Sequence, residues 1–252
     1  MINRLKKRFD RTKKAIPIFH GTDRELRPED FDFTRAGEDN DFGKAMYFGL
    51  TVKMARNWAS IKKNGVVNWY LFKSQDALED SLIQITLPED PMQWLETILR
   101  IYDSRYAGKS DVIIGDTMDA HTGRVIDHYR DIASSKGILM SDFDEETKRQ
   151  MIADLNPEYF GQQIAFRTKE GLKHVKFIGS MEVAEMDSSW DTDPSVVASR
   201  VADMLMQQDG LSQDEALVAF MRSDTFRRLL ADRSLCGLPT ERILEMYRRE
   251  VR

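Results

Sequence analysis

The chain has 252 residues, 37 of them lysine or arginine and 42 aspartate or glutamate, for a net charge of −5; 41% are hydrophobic and 31% charged. That composition excludes wholesale disorder and a fibrous protein, and an acidic balance is unlike a general nucleic-acid-coating protein. The single cysteine, Cys236, excludes an internal disulfide and a zinc site built from two thiolates of one chain, and it suits a reducing cytosol.

Seven bases (Arg4, Lys6, Lys7, Arg8, Arg11, Lys13, Lys14) against one acid, Asp10, make residues 1–15 a basic arm on an acidic body. The arm reads as a solvated leading segment or as a contact for RNA or an acidic partner. The apolar stretch after it is too short for a signal-peptide core, and no run approaches the roughly 20 residues of a membrane helix.

Residues 16–20 predict a short strand ending at His20-Gly21-Thr22. Residues 28–43, rich in Asp, Gly and Asn, predict a loop, and residues 45–48 a second strand. Thr51 has N-cap character for a helix to about residue 63, with Val52, Ala55, Trp58 and Ala59 on one face. Strands follow at 66–72 and 82–87, a helix at 91–102 with Met92, Trp94, Leu95 and Leu99 inward, and a buried strand at 111–115. Residues 122–157 are mainly helical with a break near 134–137; the second helix begins at Asp142 and stops at Asn156-Pro157. A strand at 163–167, a short helix at 168–173 and a strand at 175–178 complete an α+β reading.

Residues 182–193 hold five acids and no base and read as an acidic linker over 182–194. Beyond it, residues 195–252 are helical by pattern, with a capping box at Ser212 and Glu215. His121 and His128 lie seven apart with no third ligand nearby, so no metal is expected, and Cys236 reads as a buried or idle thiol.

Three segments carry the chemistry: Phe19-His20-Gly21-Thr22, then Asp41-Phe42-Gly43-Lys44-Ala45-Met46-Tyr47-Phe48, then Gln163-Ile164-Ala165-Phe166. Together they resemble the ADP-ribosyltransferase superfamily, on the poly(ADP-ribose) polymerase and diphtheria-toxin branch. Within it they are similar to a bacterial family of unknown function that also shows Trp58-Ala59 and the stretch 111–115. The resemblance implies a split β-sheet core with inserted helices over 16–181, followed by a small all-α domain at 195–252.

It further implies NAD+ as substrate, with His20 on the adenosine ribose, the Gly21 backbone and Thr22 on the nicotinamide amide, and Tyr47 and Trp58 on the two faces of the nicotinamide ring. Strand alternation aims Gln163, rather than Gln162, at the cleft. The branch carries a glutamate at that position. A glutamine can hydrogen-bond a ribose hydroxyl but supplies neither charge nor a base. Polymer elongation is therefore disfavoured, leaving single ADP-ribose transfer to a protein or nucleic acid acceptor, NAD+ hydrolysis, or a non-catalytic NAD+-binding or interaction module. Glu158, Glu170 and Asp119 are the nearby acids that could assist.

Residues 211–220 resemble a small helical bacterial family encoded beside such transferase-like proteins. The fusion implies a cytoplasmic bacterial toxin or defence effector. Its C-terminal domain would dock on the transferase domain as an antitoxin-like regulator, bind a partner, or only stabilise it.

Overall fold

A computed structural model describes residues 9–37, 40–103, 110–118, 122–157 and 161–252. Arg4, Lys6, Lys7, Arg8, Asp119, His121 and Glu158 lie outside the described residues. The chain is α+β, with a mixed seven-stranded sheet in the order β4-β5-β6-β2-β1-β3-β7. These strands are Ile16–Thr22 (β1), Met46–Gly49 (β2), Val66–Phe72 (β3), Ile85–Thr86 (β4), Val112–Asp116 (β5), Gln162–Phe166 (β6) and Val175–Glu182 (β7). Two compact units emerge. One holds Asp32–Tyr47 and Ser81–Gly171; the other holds Asp10–Phe31, Phe48–Asp80 and Leu172–Arg252. The boundary falls inside β2, between Tyr47 and Phe48.

In the first unit β4 runs parallel to β5, joined through α3 (Pro91–Tyr102), and β6 pairs antiparallel with β5. Asp90 caps α3 by accepting from Gln93 N–H, and Pro91 occupies the first turn, where its missing N–H costs nothing. The buried side chains of α3 are Trp94, Leu95, Thr97, Ile98 and Leu99. All but Thr97 share a core with Phe42, Ile113, Ala165, and with Ile126 and Tyr129 of α4 (Thr122–Ser135) and Met151 and Leu155 of α5 (Glu145–Leu155). The strand expected at 82–87 shrinks to two residues, Ile85 and Thr86, which pair with Val112 and Ile113, while Leu82 is exposed.

In the second unit β1 pairs antiparallel with β3 along its whole length, and β3 pairs with β7 across an irregularity at Trp69/Tyr70. Side chains alternate across this sheet. Phe19, Val67, Trp69 and Leu71 share one core with Val52, Ala55 and Ala59 of α1 (Val52–Ser60). The same core takes Val197, Val201 and Leu205 of α7 (Pro194–Asp209), and Phe220 and Met221 of α8 (Gln213–Met221). It also takes Phe226 and Leu229 of α9 (Asp224–Ala231), and Ile243 and Leu244 of α10 (Thr240–Glu250). Trp69 is the anchor. Its indole N–H donates to the Met221 carbonyl at 3.0 Å, and its ring meets Phe226 edge-on at 5.6 Å. The capping box at Ser212 and Glu215 forms as its spacing predicts.

A helix unforeseen from the sequence, α2 (Ser74–Glu79), follows β3, and the short α6 (Lys169–Leu172) precedes β7. Before β1, Lys13 pairs with Asp203 of α7, and Ala15 N–H donates to Gln213 of α8. After β7, Trp190 donates to the Leu229 carbonyl, and Asp187 accepts from Arg233 N–H. Asp193 caps two helices at once: one carboxylate oxygen accepts from Ser195 N–H and Val52 N–H, the other from Lys53 N–H. Thr51 accepts from Met54 N–H, so the first three donors of α1 are all satisfied. Asp193→Ala is expected to cost roughly 2 kcal/mol, about one for each uncapped helix. A thermal melt should show a drop of about 5 °C; an unchanged melting temperature would refute the double cap.

Candidate functional site

The expected site residues fall in both units, and each group is built within its own. In the second unit, His20, Gly21 and Thr22 end β1, where His20 pairs in register with Asn68 of β3. β1 is also the antiparallel neighbour of β2, paired at Phe19 and Gly49. Phe19 and Gly21 point to the α1 side of the sheet and His20 to the other. There its half-buried imidazole lies 5.7 Å from the Phe48 ring, which in turn meets Tyr70 at 5.0 Å. The Tyr70 hydroxyl donates to the Leu26 carbonyl, fixing that wall.

Gly21 has a packing reason to be glycine. A Cβ there would lie 2.0 Å from the Ala55 carbonyl oxygen and 2.7 Å from the Ala59 nitrogen, both α1 backbone. The close approach that the residue permits in this structure is to a helix. The Thr22 hydroxyl donates to Asp23 at 3.2 Å.

Trp58 departs from the expected face. Val52, Ala55 and Ala59 are buried, whereas Trp58 is 62% exposed and Ile61 beyond it 70%. At 100° per residue, position 58 sits beside the buried stripe rather than in it. Its indole presents a ring to solvent from the outer side of α1.

In the first unit, Tyr47 and the Asp41-Phe42-Gly43 turn hold each other. The Tyr47 hydroxyl accepts from Phe42 N–H at 2.9 Å and donates to the Gly43 carbonyl at 2.7 Å. Gly43 has φ +70°, a left-handed conformation glycine adopts without steric cost. The spacing from Asp41 to Tyr47 is thus a local hydrogen-bonded loop. Burial pushes the Tyr47 phenol well above its ordinary pKa, and the Asp41 charge adds to that push. The phenol stays neutral near pH 7 and donates to the Gly43 carbonyl rather than acting as a base.

Gln163 on β6 is buried, and its amide Nε2 donates to Asp41 Oδ2 at 2.6 Å. The same carboxylate oxygen accepts from Met118 N–H at 3.1 Å. Desolvation raises the Asp41 pKa, against these two hydrogen bonds, which favour its charge. The neighbouring Gln162 is bonded differently, its Oε1 accepting from Phe9 N–H. Sequence reasoning missed Asp41 as a partner of Gln163 and looked instead to Glu158, Glu170 and Asp119. The signal was its place at the head of the loop that Tyr47 closes.

Elsewhere, Cys236 is buried and its thiol is pushed up to about 12 by burial, so it is not a nucleophile near neutral pH. Among the described residues no group of three or more His, Cys, Asp or Glu could hold a metal ion, and no helix is long and apolar enough to cross a membrane. No curated protein and no solved structure was found to match the chain. A family model described as "Protein of unknown function (DUF3990)" matches residues 16–177, well over half of the sequence, and the chain belongs to that family.

Proposed function

We propose that the protein is an NAD+-dependent mono-ADP-ribosyltransferase with the split-sheet core of that superfamily, transferring a single ADP-ribose to a macromolecular acceptor. The observation that supports this reading is that each motif ends up on a strand of its own unit: His20-Gly21-Thr22 ends β1, and Tyr47, held by its own Asp-Phe-Gly loop, lies in β2. His20 would bind the adenosine ribose, the Gly21 backbone and Thr22 the nicotinamide amide, and the Tyr47 ring the nicotinamide, with the exposed Trp58 indole as the weaker second face.

Cleaving the nicotinamide–ribose bond develops positive charge on the ribose, so a nearby negative group favours the transition state. Gln163 supplies none, but it is bonded to Asp41. In this reading Gln163 orients the ribose hydroxyl, and Asp41, oriented by Gln163 and Met118 N–H, provides the carboxylate. The toxin or defence role, the bacterial cytoplasm and a regulatory duty for the C-terminal helices follow from the resemblance alone.

The test is incubation of the full chain with NAD+ labelled in its adenylate half and a bacterial lysate. Label on protein or nucleic acid is the expected result, and His20→Ala and Tyr47→Ala, each checked for folding by its melting curve, should lower it by about a hundredfold. Free nicotinamide with no labelled acceptor would make the protein a glycohydrolase. Bound but intact NAD+ would make it a binding module, and full labelling by both variants would remove the site.

A further inference from the structure

Arg167 follows β6 directly, and its backbone N–H donates to the Asp111 carbonyl at 2.8 Å, extending the β5–β6 ladder by one step. Its side chain is half-buried, and its Nε and Nη1 are enclosed without a hydrogen-bond partner. Nη2 is not among the enclosed nitrogens and gives the guanidinium its contact with solvent. Arginine is charged at any physiological pH, and an enclosed charge without a counter-ion costs several kcal/mol.

Two carboxylates held by the β5–β6 region are committed elsewhere. Asp111, opposite Arg167 in the ladder, accepts from Gln84 N–H through Oδ2 and from the Thr168 hydroxyl through Oδ1. Asp41 accepts from Gln163 and Met118. No carboxylate among the described residues forms an ion pair with Arg167. Its place beside the β5–β6 ladder and its enclosed nitrogens set Arg167 apart from the exposed arginines of the surface.

We infer that Arg167 is an anion-binding residue, completed by a phosphate or pyrophosphate oxyanion that docks on Nη2. The guanidinium charge is delocalised, so one oxyanion there compensates the enclosed nitrogens as well, and water excluded by the ligand strengthens the pairing. Phosphate geometry suits this planar donor better than it suits a lysine. The inference rests on the proposed function only for the source of the phosphate, which that reading makes the pyrophosphate of NAD+.

The experiment is calorimetric titration of the full chain and of Arg167→Met and Arg167→Lys with three probes: inorganic pyrophosphate, NAD+ and phosphate-free nicotinamide riboside. Both phosphate probes should bind the unaltered chain and bind Arg167→Met roughly tenfold to a hundredfold more weakly. Arg167→Lys should fall between, and the riboside should not distinguish the three proteins. Methionine keeps much of the side-chain volume, so Arg167→Met should melt at or above the temperature of the parent chain. No heat with pyrophosphate or NAD+, or equal affinity of Arg167→Met for both, would overturn the inference. Pyrophosphate binding that needs Arg167 while NAD+ is never bound would leave this site standing and remove the proposed function. NAD+ turnover unaffected by Arg167→Met would do the reverse.

Discussion

A chain ending before residue 190 is expected to be insoluble, or to be recovered without a cooperative melting transition. The four helices beyond that point are part of the core of the β1-β3-β7 unit. Val67, Trp69, Leu71 and Ile178 share one buried cluster with Val201, Leu205, Phe220, Met221 and Phe226. Trp69 also loses its hydrogen bond to Met221. Returning a large apolar side chain to water costs about 1.5–3 kcal/mol. Four of them therefore cost roughly 6–12 kcal/mol, comparable to the whole stability of a domain at about 5–15 kcal/mol. Asp193 also goes, leaving the Val52 and Lys53 donors of α1 without their acceptor. A soluble truncation that melts cooperatively near the parent temperature would contradict this account. If the truncation fails to fold, comparing its effect on growth with that of the full chain reports stability rather than relief of inhibition.

Gly21→Ala is expected to destabilise the protein by about 3 kcal/mol or more, lowering the melting temperature by roughly 8 °C or more. The added carbon would meet the Ala55 carbonyl oxygen and the Ala59 nitrogen, which belong to helix backbone and cannot swing aside. Either α1 lifts from β1, uncovering Phe19, Ala55 and Ala59, or β1 leaves its register with β3. A variant that melts within a degree of the parent would show that α1 sits less tightly on the strand. The same clash means that lost activity in Gly21→Ala says nothing about a nicotinamide amide; His20, on the opposite face, is the cleaner probe.

Local signals were legible where a short stretch of chain decides the outcome. Thr51 announces α1, the apolar spacing of Leu95 and Leu99 announces α3, the Ser212–Glu215 box announces α8, and the apolar run at 66–72 gives β3 with its bounds unchanged. What escaped depends on distant partners. Asp193 caps α1 from 141 positions away, and Asp41 meets Gln163 across 122. The end of β7 was hidden because its outer residues, Ser180 to Glu182, are partly exposed and lack an apolar rhythm; the strand is fixed by pairing with β3. Trp58 misled because an indole at helical spacing reads as core, yet it lies just outside the buried stripe. Of the expected site residues, Gly21 has a packing role against α1 and Tyr47 closes the Asp41-Phe42-Gly43 loop.

We propose that this chain binds NAD+ through His20 and Tyr47 and breaks its nicotinamide bond. The most direct measurement is nicotinamide release from NAD+ by the full chain in the presence of lysate, set against His20→Ala of equal melting temperature. Release by the parent is expected, with about a hundredfold less by the variant. No release by the parent, or equal release by the two, would contradict it.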